Sequence, residues 1–162
     1  MKQKTIAALA LNAAAAVLLV IFVAVLARPR GKAISSASFE TVSGAVLSQV
    51  DTGTMQEGDN QMLRRLYRLS PEDFDGFLLY YPTSNMGAEE LLLLKLKDLD
   101  QQESVTQACE ARRATQMASF DGYAMEQYAM EENAILDVQG NYVLFISASD
   151  PAGVDRAFRE AL

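Results

Sequence analysis

From Ile6 to Ala27 the chain runs for 22 residues with Asn12 as the sole polar side chain. As a helix this run would be roughly 33 Å long, enough to cross the hydrocarbon core of a bilayer. A cleavable signal peptide has a shorter apolar segment, roughly 7–15 residues. Val25-Leu26-Ala27 offers small residues for cleavage, but Arg28-Pro29-Arg30 directly after it is a poor start for a mature chain. No cysteine directly follows the run, which removes a lipoprotein anchor. The reading is a transmembrane anchor within residues 1–30 that spans at 6–27. A cleaved signal is the alternative, and a buried core helix is the third reading. Lys2 and Lys4 on one flank nearly balance Arg28, Arg30 and Lys32 on the other, so charge alone gives no orientation. A short tail before a first hydrophobic segment is the signal-anchor arrangement, which places the rest of the chain outside the cytoplasm.

The five basic residues before position 33 all flank that run, and no acidic residue does. They leave nine basic against 21 acidic residues in the remainder, a formal charge of −12. Such a surface repels phosphate backbones and disfavours nucleic acid as a partner. The sequence has no histidine and a single cysteine, Cys109. Ser-His-Asp and Cys-His machinery, histidine or multi-cysteine zinc sites and an internal disulfide are thereby excluded. No cofactor or metal motif is present, and none is expected to be used.

After a linker over 31–38, residues 39–162 suit one soluble acidic α+β domain with a single core. Phe39, Val42, Val46, Leu47 and Val50 follow helical spacing behind Ser38, a candidate N-cap. Asp51 to Asn60 reads as a polar loop with Gly58 exposed. Met62, Leu66 and Leu69 predict a short helix with Arg64, Arg65 and Arg68 on its wet side. Ser70-Pro71-Glu72-Asp73 has the signature of a helix start. Strands are predicted at Phe77–Tyr81 and Glu90–Lys97, and Asp100 with Glu103 forms a capping box for a helix reaching about Met117. Two further strands, Ile135–Val138 and Tyr142–Ala148, flank the turn Gln139-Gly140-Asn141. Asp150-Pro151 then opens a last helix with Val154, Ala157, Phe158, Ala161 and Leu162 on one stripe and Arg159 facing water. The expected fold is a small antiparallel sheet packed with helices. Val105, Ala108 and Cys109 echo Val154, Ala157 and Phe158 at an offset of 49, so a duplicated ββα unit competes with chance likeness between two amphipathic helices.

Several clusters invite a chemical reading, each beside a plainer one. Glu89 and Glu90 adjoin the leucine strand, but consecutive strand residues point to opposite faces, so strand-edge solvation is preferred to acid–base work. Asp51, Glu57, Asp59 and Asn60 lack the spacing of a calcium loop. Arg64, Arg65 and Arg68 could touch lipid headgroups, against a solvated helix face. Tyr123-Ala-Met-Glu126 recurs as Tyr128-Ala-Met-Glu131 at a period of five, which fits neither helix nor strand. Cys109 falls on an apolar stripe and reads as core. The connection Pro82–Glu89 is long for a hairpin link, and longer connections more often carry function. With the adjoining tyrosines it supplies the candidate partner-binding residues Tyr80, Tyr81, Asn85, Met86 and Glu89. The plainer reading makes the tyrosines core and the loop a mere connection.

The segments Met86-Gly87-Ala88-Glu89-Glu90 into Leu94-Lys95-Leu96-Lys97-Asp98, Glu110-Ala111-Arg112-Arg113, Phe120-Asp121-Gly122-Tyr123 and Gly140-Asn141-Tyr142-Val143-Leu144 belong together as a set. Over about Phe39 to Phe158 the chain resembles the uncharacterised bacterial family called domain of unknown function 4358. The resemblance implies an exported domain, with a transmembrane helix here in place of the lipid or signal of other members. It supplies no activity, ligand or catalytic residue. Relatives carry a proline after Tyr123-Ala124, where this chain has Met125. The function expected is a non-catalytic binding or docking module on the outer face of a bacterial cell membrane, which docks on an envelope protein or presents a peptide- or ligand-binding surface. The rival is a small hydrolase or transferase using Glu90 or Asp98 with Lys95.

Overall fold

The computed structural model describes residues 34–162, and the apolar run at 6–27 lies outside them. Among the described residues no helix is long and apolar enough to cross a membrane. Over the described residues the architecture is α+β, five α-helices with a five-stranded antiparallel sheet.

The sheet is organised by its leucine strand. Strands β1 (Met55–Glu57), β2 (Phe74–Pro82), β3 (Glu90–Leu96), β4 (Ile135–Gln139) and β5 (Tyr142–Ser147) lie in the order β1-β2-β3-β5-β4. In β3 the residues Leu91 to Leu94 are all fully buried. A continuous apolar run, in place of alternation, is what a strand needs when both faces of its sheet are covered. Leu92, Leu94 and Leu96 face one way, with Val143 and Phe145 of β5, and are covered by Leu63 and Tyr67 of α2 (Asn60–Tyr67) and Val105 and Cys109 of α3 (Gln101–Phe120). Leu91 and Leu93 face the other way, under Val42 and Val46 of α1 (Phe39–Leu47) and Val154 and Phe158 of α5 (Pro151–Glu160). A third, smaller cluster of Ala88, Phe120 and Ala124 seats α4 (Met125–Glu132) through its Tyr128 and Met130.

Local chemistry sets the element ends. Ser38 caps α1 by accepting from the Thr41 N–H, and Asp150 caps α5 by accepting from the Gly153 N–H. Gly140 takes φ 57 at the tip of the β4–β5 hairpin, a conformation that glycine adopts without steric cost. Residues 34–38, expected as part of a linker, are partly docked. Ser35 donates its N–H to Asn141 Oδ1 and its hydroxyl to the Leu162 carbonyl, while Lys95 Nζ and the Tyr142 hydroxyl both donate to the Ala37 carbonyl.

Several expectations need correction. The loop Asp51–Asn60 contains β1, whose Met55 pairs with Pro82 and is buried. Gly58 is buried too, and a Cβ there would lie 2.6 Å from Leu79 Cδ2. Ser70-Pro71-Glu72-Asp73 yields a single 3₁₀ turn, because β2 begins at once with Phe74. In α2 the fully covered residues are Leu63 and Tyr67, while Met62 and Leu66 sit at the margin. The capping box at Asp100 does not form, since Asp100 is already helical and its side chain caps nothing. Gln101 instead ties the preceding turn, with Oε1 accepting from the N–H groups of Lys97 and Asp98. Between Phe120 and Ile135 the sequence reading placed no helix, yet α4 forms there. Met125 is its first residue. The duplicated ββα unit fails on faces. Repeats related within one antiparallel sheet would keep their helices on one side, whereas α3 and α5 cover opposite sides.

Candidate functional site

Glu90, at the head of β3, is fully buried, not solvated at a strand edge as expected. It faces the side of the sheet that carries α2 and α3. Arg112 of α3 meets it with Nε 2.9 Å from Oε1 and Nη2 2.6 Å from Oε2, and the Tyr67 hydroxyl of α2 donates to Oε1. Burial and then the Glu90 charge hold the Tyr67 phenol well above its ordinary range, so it remains a neutral donor. Burial would lower the Arg112 pKa, but the hydrogen bonds and charge of Glu90 more than offset this. Cys109 lies beneath the same cluster, and burial first, then Glu90 and Glu110, push its thiol up to about 12. It is a core residue with no thiolate to offer.

Arg112 reaches from this buried pair to the wall of a groove of about 560 Å³. The groove runs between Met62, Arg65 and Leu66 of α2, Thr115, Gln116 and Ser119 of α3, and the start of the β2–β3 connection. Tyr81 and Asn85 line it, as do Gln56 of β1 and Pro82 to Ser84. No carboxylate is among its lining residues, in a domain that is otherwise strongly acidic. Among the described residues Arg65 forms no ion pair, whereas its neighbour Arg64 holds Glu72 at 2.7 Å.

The five residues singled out from the sequence do not converge. Tyr81 and Asn85 share the groove, but Tyr80 points to the opposite face and packs near Leu91 and Leu93. Met86 is half exposed at the tip of the connection and lines no part of the groove. Glu89 turns towards a separate cavity of about 150 Å³ shared with Asp51 and Asp150, and its Oε2 accepts from the Ala88 N–H. Sequence reasoning missed Arg65, Arg112 and Gln116 as one wall, since residues on separate helices meet only in the fold. The rival catalytic set is not assembled. Lys95 lies five residues along β3 from Glu90, roughly 17 Å away. It is on the opposite face, donating to the Ala37 carbonyl and lying 5.4 Å from the Tyr142 ring centroid. Asp98 sits in the loop beyond the strand and accepts from the Asp100 N–H. In the acidic loop Asp51 accepts from the Gly53 N–H and Asp59 from the Met62 N–H.

The family model described as Domain of unknown function (DUF4358) matches residues 48–148. The chain belongs to that family. The DUF4358 match opens directly after α1 and closes one residue past β5, so it takes in the whole sheet, α2 to α4 and every residue lining the groove. Helices α1 and α5, which cover the other face, lie outside it. No curated protein and no solved structure matches the chain.

Proposed function

We propose that this DUF4358 domain is a non-catalytic binding module, held at a bacterial membrane by residues 6–27 and exposed outside the cytoplasm. Its groove takes an extended segment of an envelope protein. The observation that carries this reading is the carboxylate-free lining of the groove on a domain of formal charge −12. A net negative surface repels acidic segments, so a carboxylate-free groove with Arg65 at its margin is a place where such a segment can approach. Met62, Leu66 and Tyr81 supply apolar contact area, and Asn85, Gln116 and Gln56 supply paired donors and acceptors for a peptide backbone. The dispersal of Glu90, Lys95 and Asp98 over two faces and a loop removes the support for the hydrolase reading.

The test is recovery of partners from native membranes with full-length protein. Thr115→Trp fills the groove and Arg65→Glu reverses its charge. Both positions are exposed, so both variants should fold with an unchanged circular dichroism spectrum. Each should recover about tenfold less of a specific partner than the wild type. Met86→Ala, on the same connection but outside the groove, should recover it normally. If Thr115→Trp and Arg65→Glu both fold and retain an unchanged set of partners, the groove is eliminated as the binding surface.

A further inference from the structure

Beside the Glu90–Arg112 pair lies a second buried carboxylate that the binding reading does not use. Glu131, on the last turn of α4, is 0% exposed, and neither of its oxygens has a hydrogen-bond partner. Glu90 faces it from β3, Arg112 and Arg113 from α3, and Ser147 from β5. Ser147 is the cross-strand partner of Glu90, and its hydroxyl is also buried and unpartnered. Arg112 is committed to Glu90 through Nε and Nη2. Arg113 donates to the Glu131 and Glu132 carbonyls, so it ties the end of α4 without neutralising the side chain directly. A carboxylate left unpaired in such a place is costly when charged and much less so when protonated.

We propose that Glu131 is a proton-operated latch on α4. Neutral, it lets α4 seat on α3; ionised and buried, it is repelled by Glu90, competes with it for Arg112 and loosens the helix. Two contacts carry the change to the groove. Arg112 is part of the groove wall, and α4 packs on Ala88, next to the Gly87 that lines the groove. Burial first, then the Glu90 charge, raise the Glu131 carboxyl from its ordinary value to about 7, with Arg112, Arg113 and the nearby Ser147 hydroxyl opposing. A folded-state value above the unfolded one means that the folded state binds more protons. The seating of α4 is therefore firmest below about pH 4.5 and is lost as the pH rises through about 7.

The consequence for the groove rests on the binding reading, but the response of α4 needs no ligand and can be measured without one. Hydrogen–deuterium exchange of the full-length protein in lipid nanodiscs, corrected for the intrinsic chemical rate, reads it directly. Between about pH 5.5 and about pH 8 the amides of Met125–Ala134 should lose protection by about tenfold or more. Glu131→Gln should hold protection constant over that range. Glu90→Gln removes the neighbouring charge, so the transition should move to lower pH. This second variant decides the matter if Glu131→Gln fails to fold. Three results would each overturn the latch: wild-type protection that does not change, protection in Glu131→Gln that falls like the wild type, or a transition in Glu90→Gln at the wild-type pH. Retained exchange behaviour with no partner recovered would count against the binding reading alone.

Discussion

Arg112 and Arg64 carry the same charge on neighbouring helices, yet they differ in what their loss should do. The Arg112 side chain is 12% exposed and its partner Glu90 is fully buried, whereas Arg64 and Glu72 are 48% and 64% exposed. Removing one member of a buried pair strands the other charge away from water. Arg112→Ala should therefore cost about 3–5 kcal/mol. Arg64→Ala breaks a screened surface pair and should stay within about 0.5 kcal/mol. Denaturant unfolding of the purified protein measures both, and equal losses would contradict the burial assigned to Glu90. The residue scale is also where sequence reading reaches least far. Cys109 is legible as core because its helical stripe is local. Glu90 is not, because an acidic residue at the head of a strand looks solvated until the guanidinium 22 positions away is brought to it. Glu126 and Glu131 occupy equivalent places in a sequence repeat, yet one is exposed and the other buried. A step of five residues turns a helix by about 140°, which sends equivalent side chains to different faces.

Elements with strong local signals form as read. Helix α5 has its Asp150 cap, its proline in the first turn, and Val154 and Phe158 buried on one stripe. Its neighbouring charges are less simple than periodicity suggests. Arg159, expected to face water, is half exposed, but its Nε lies 3.0 Å from a carboxylate oxygen of Asp137 and 3.0 Å from one of Asp155, both largely buried. Burial, then the adjacent Asp137, raise the Asp155 carboxyl, as expected for two acids held together by one cation. Phe158→Ala should cost about 3–5 kcal/mol. Arg159→Ala should cost about 1–2 kcal/mol because it leaves those two acids to repel each other. Glu160→Ala, at an exposed position, should stay within about 0.5 kcal/mol. Thermal unfolding at neutral pH ranks the three, and a harmless Arg159→Ala would show that the acids relax into solvent. Helix α4 and strand β1 escape the sequence reading for a shared reason. Met125–Glu132 has no side-chain cap and only a weak apolar stripe, and β1 has one buried residue in three. Each is held by what it packs or pairs with, Phe120 and Ala88 for the helix and β2 for the strand.

At the scale of the whole molecule, location can be tested with a thiol. Gly58 is unsuitable for labelling because Leu79 occupies the space a side chain would need. Ala118, exposed on α3, is the better position. If the domain is exported, Ala118→Cys should react with an impermeant maleimide on intact protoplasts, while Cys109 stays unlabelled until the protein is denatured. Labelling of the Ala118→Cys variant only after lysis would place the domain inside. In the same preparation, alkaline carbonate should leave the full-length chain in the membrane pellet, and its release would remove the anchor. The expectation of an anchor, the acidic α+β class, four of the strands, the first and last helices and the membership of DUF4358 all follow from signals that local sequence contains. Apolar run length, period, capping chemistry and short characteristic segments need no knowledge of distant neighbours. The coverage of the sheet on both faces, the side taken by each helix, the burial of Glu90 and Glu131 and the groove between α2 and α3 are different in kind. They depend on which residues far apart in the chain are brought within a few ångströms, where the loss of water and the presence or absence of a counter-charge decide what a side chain can do.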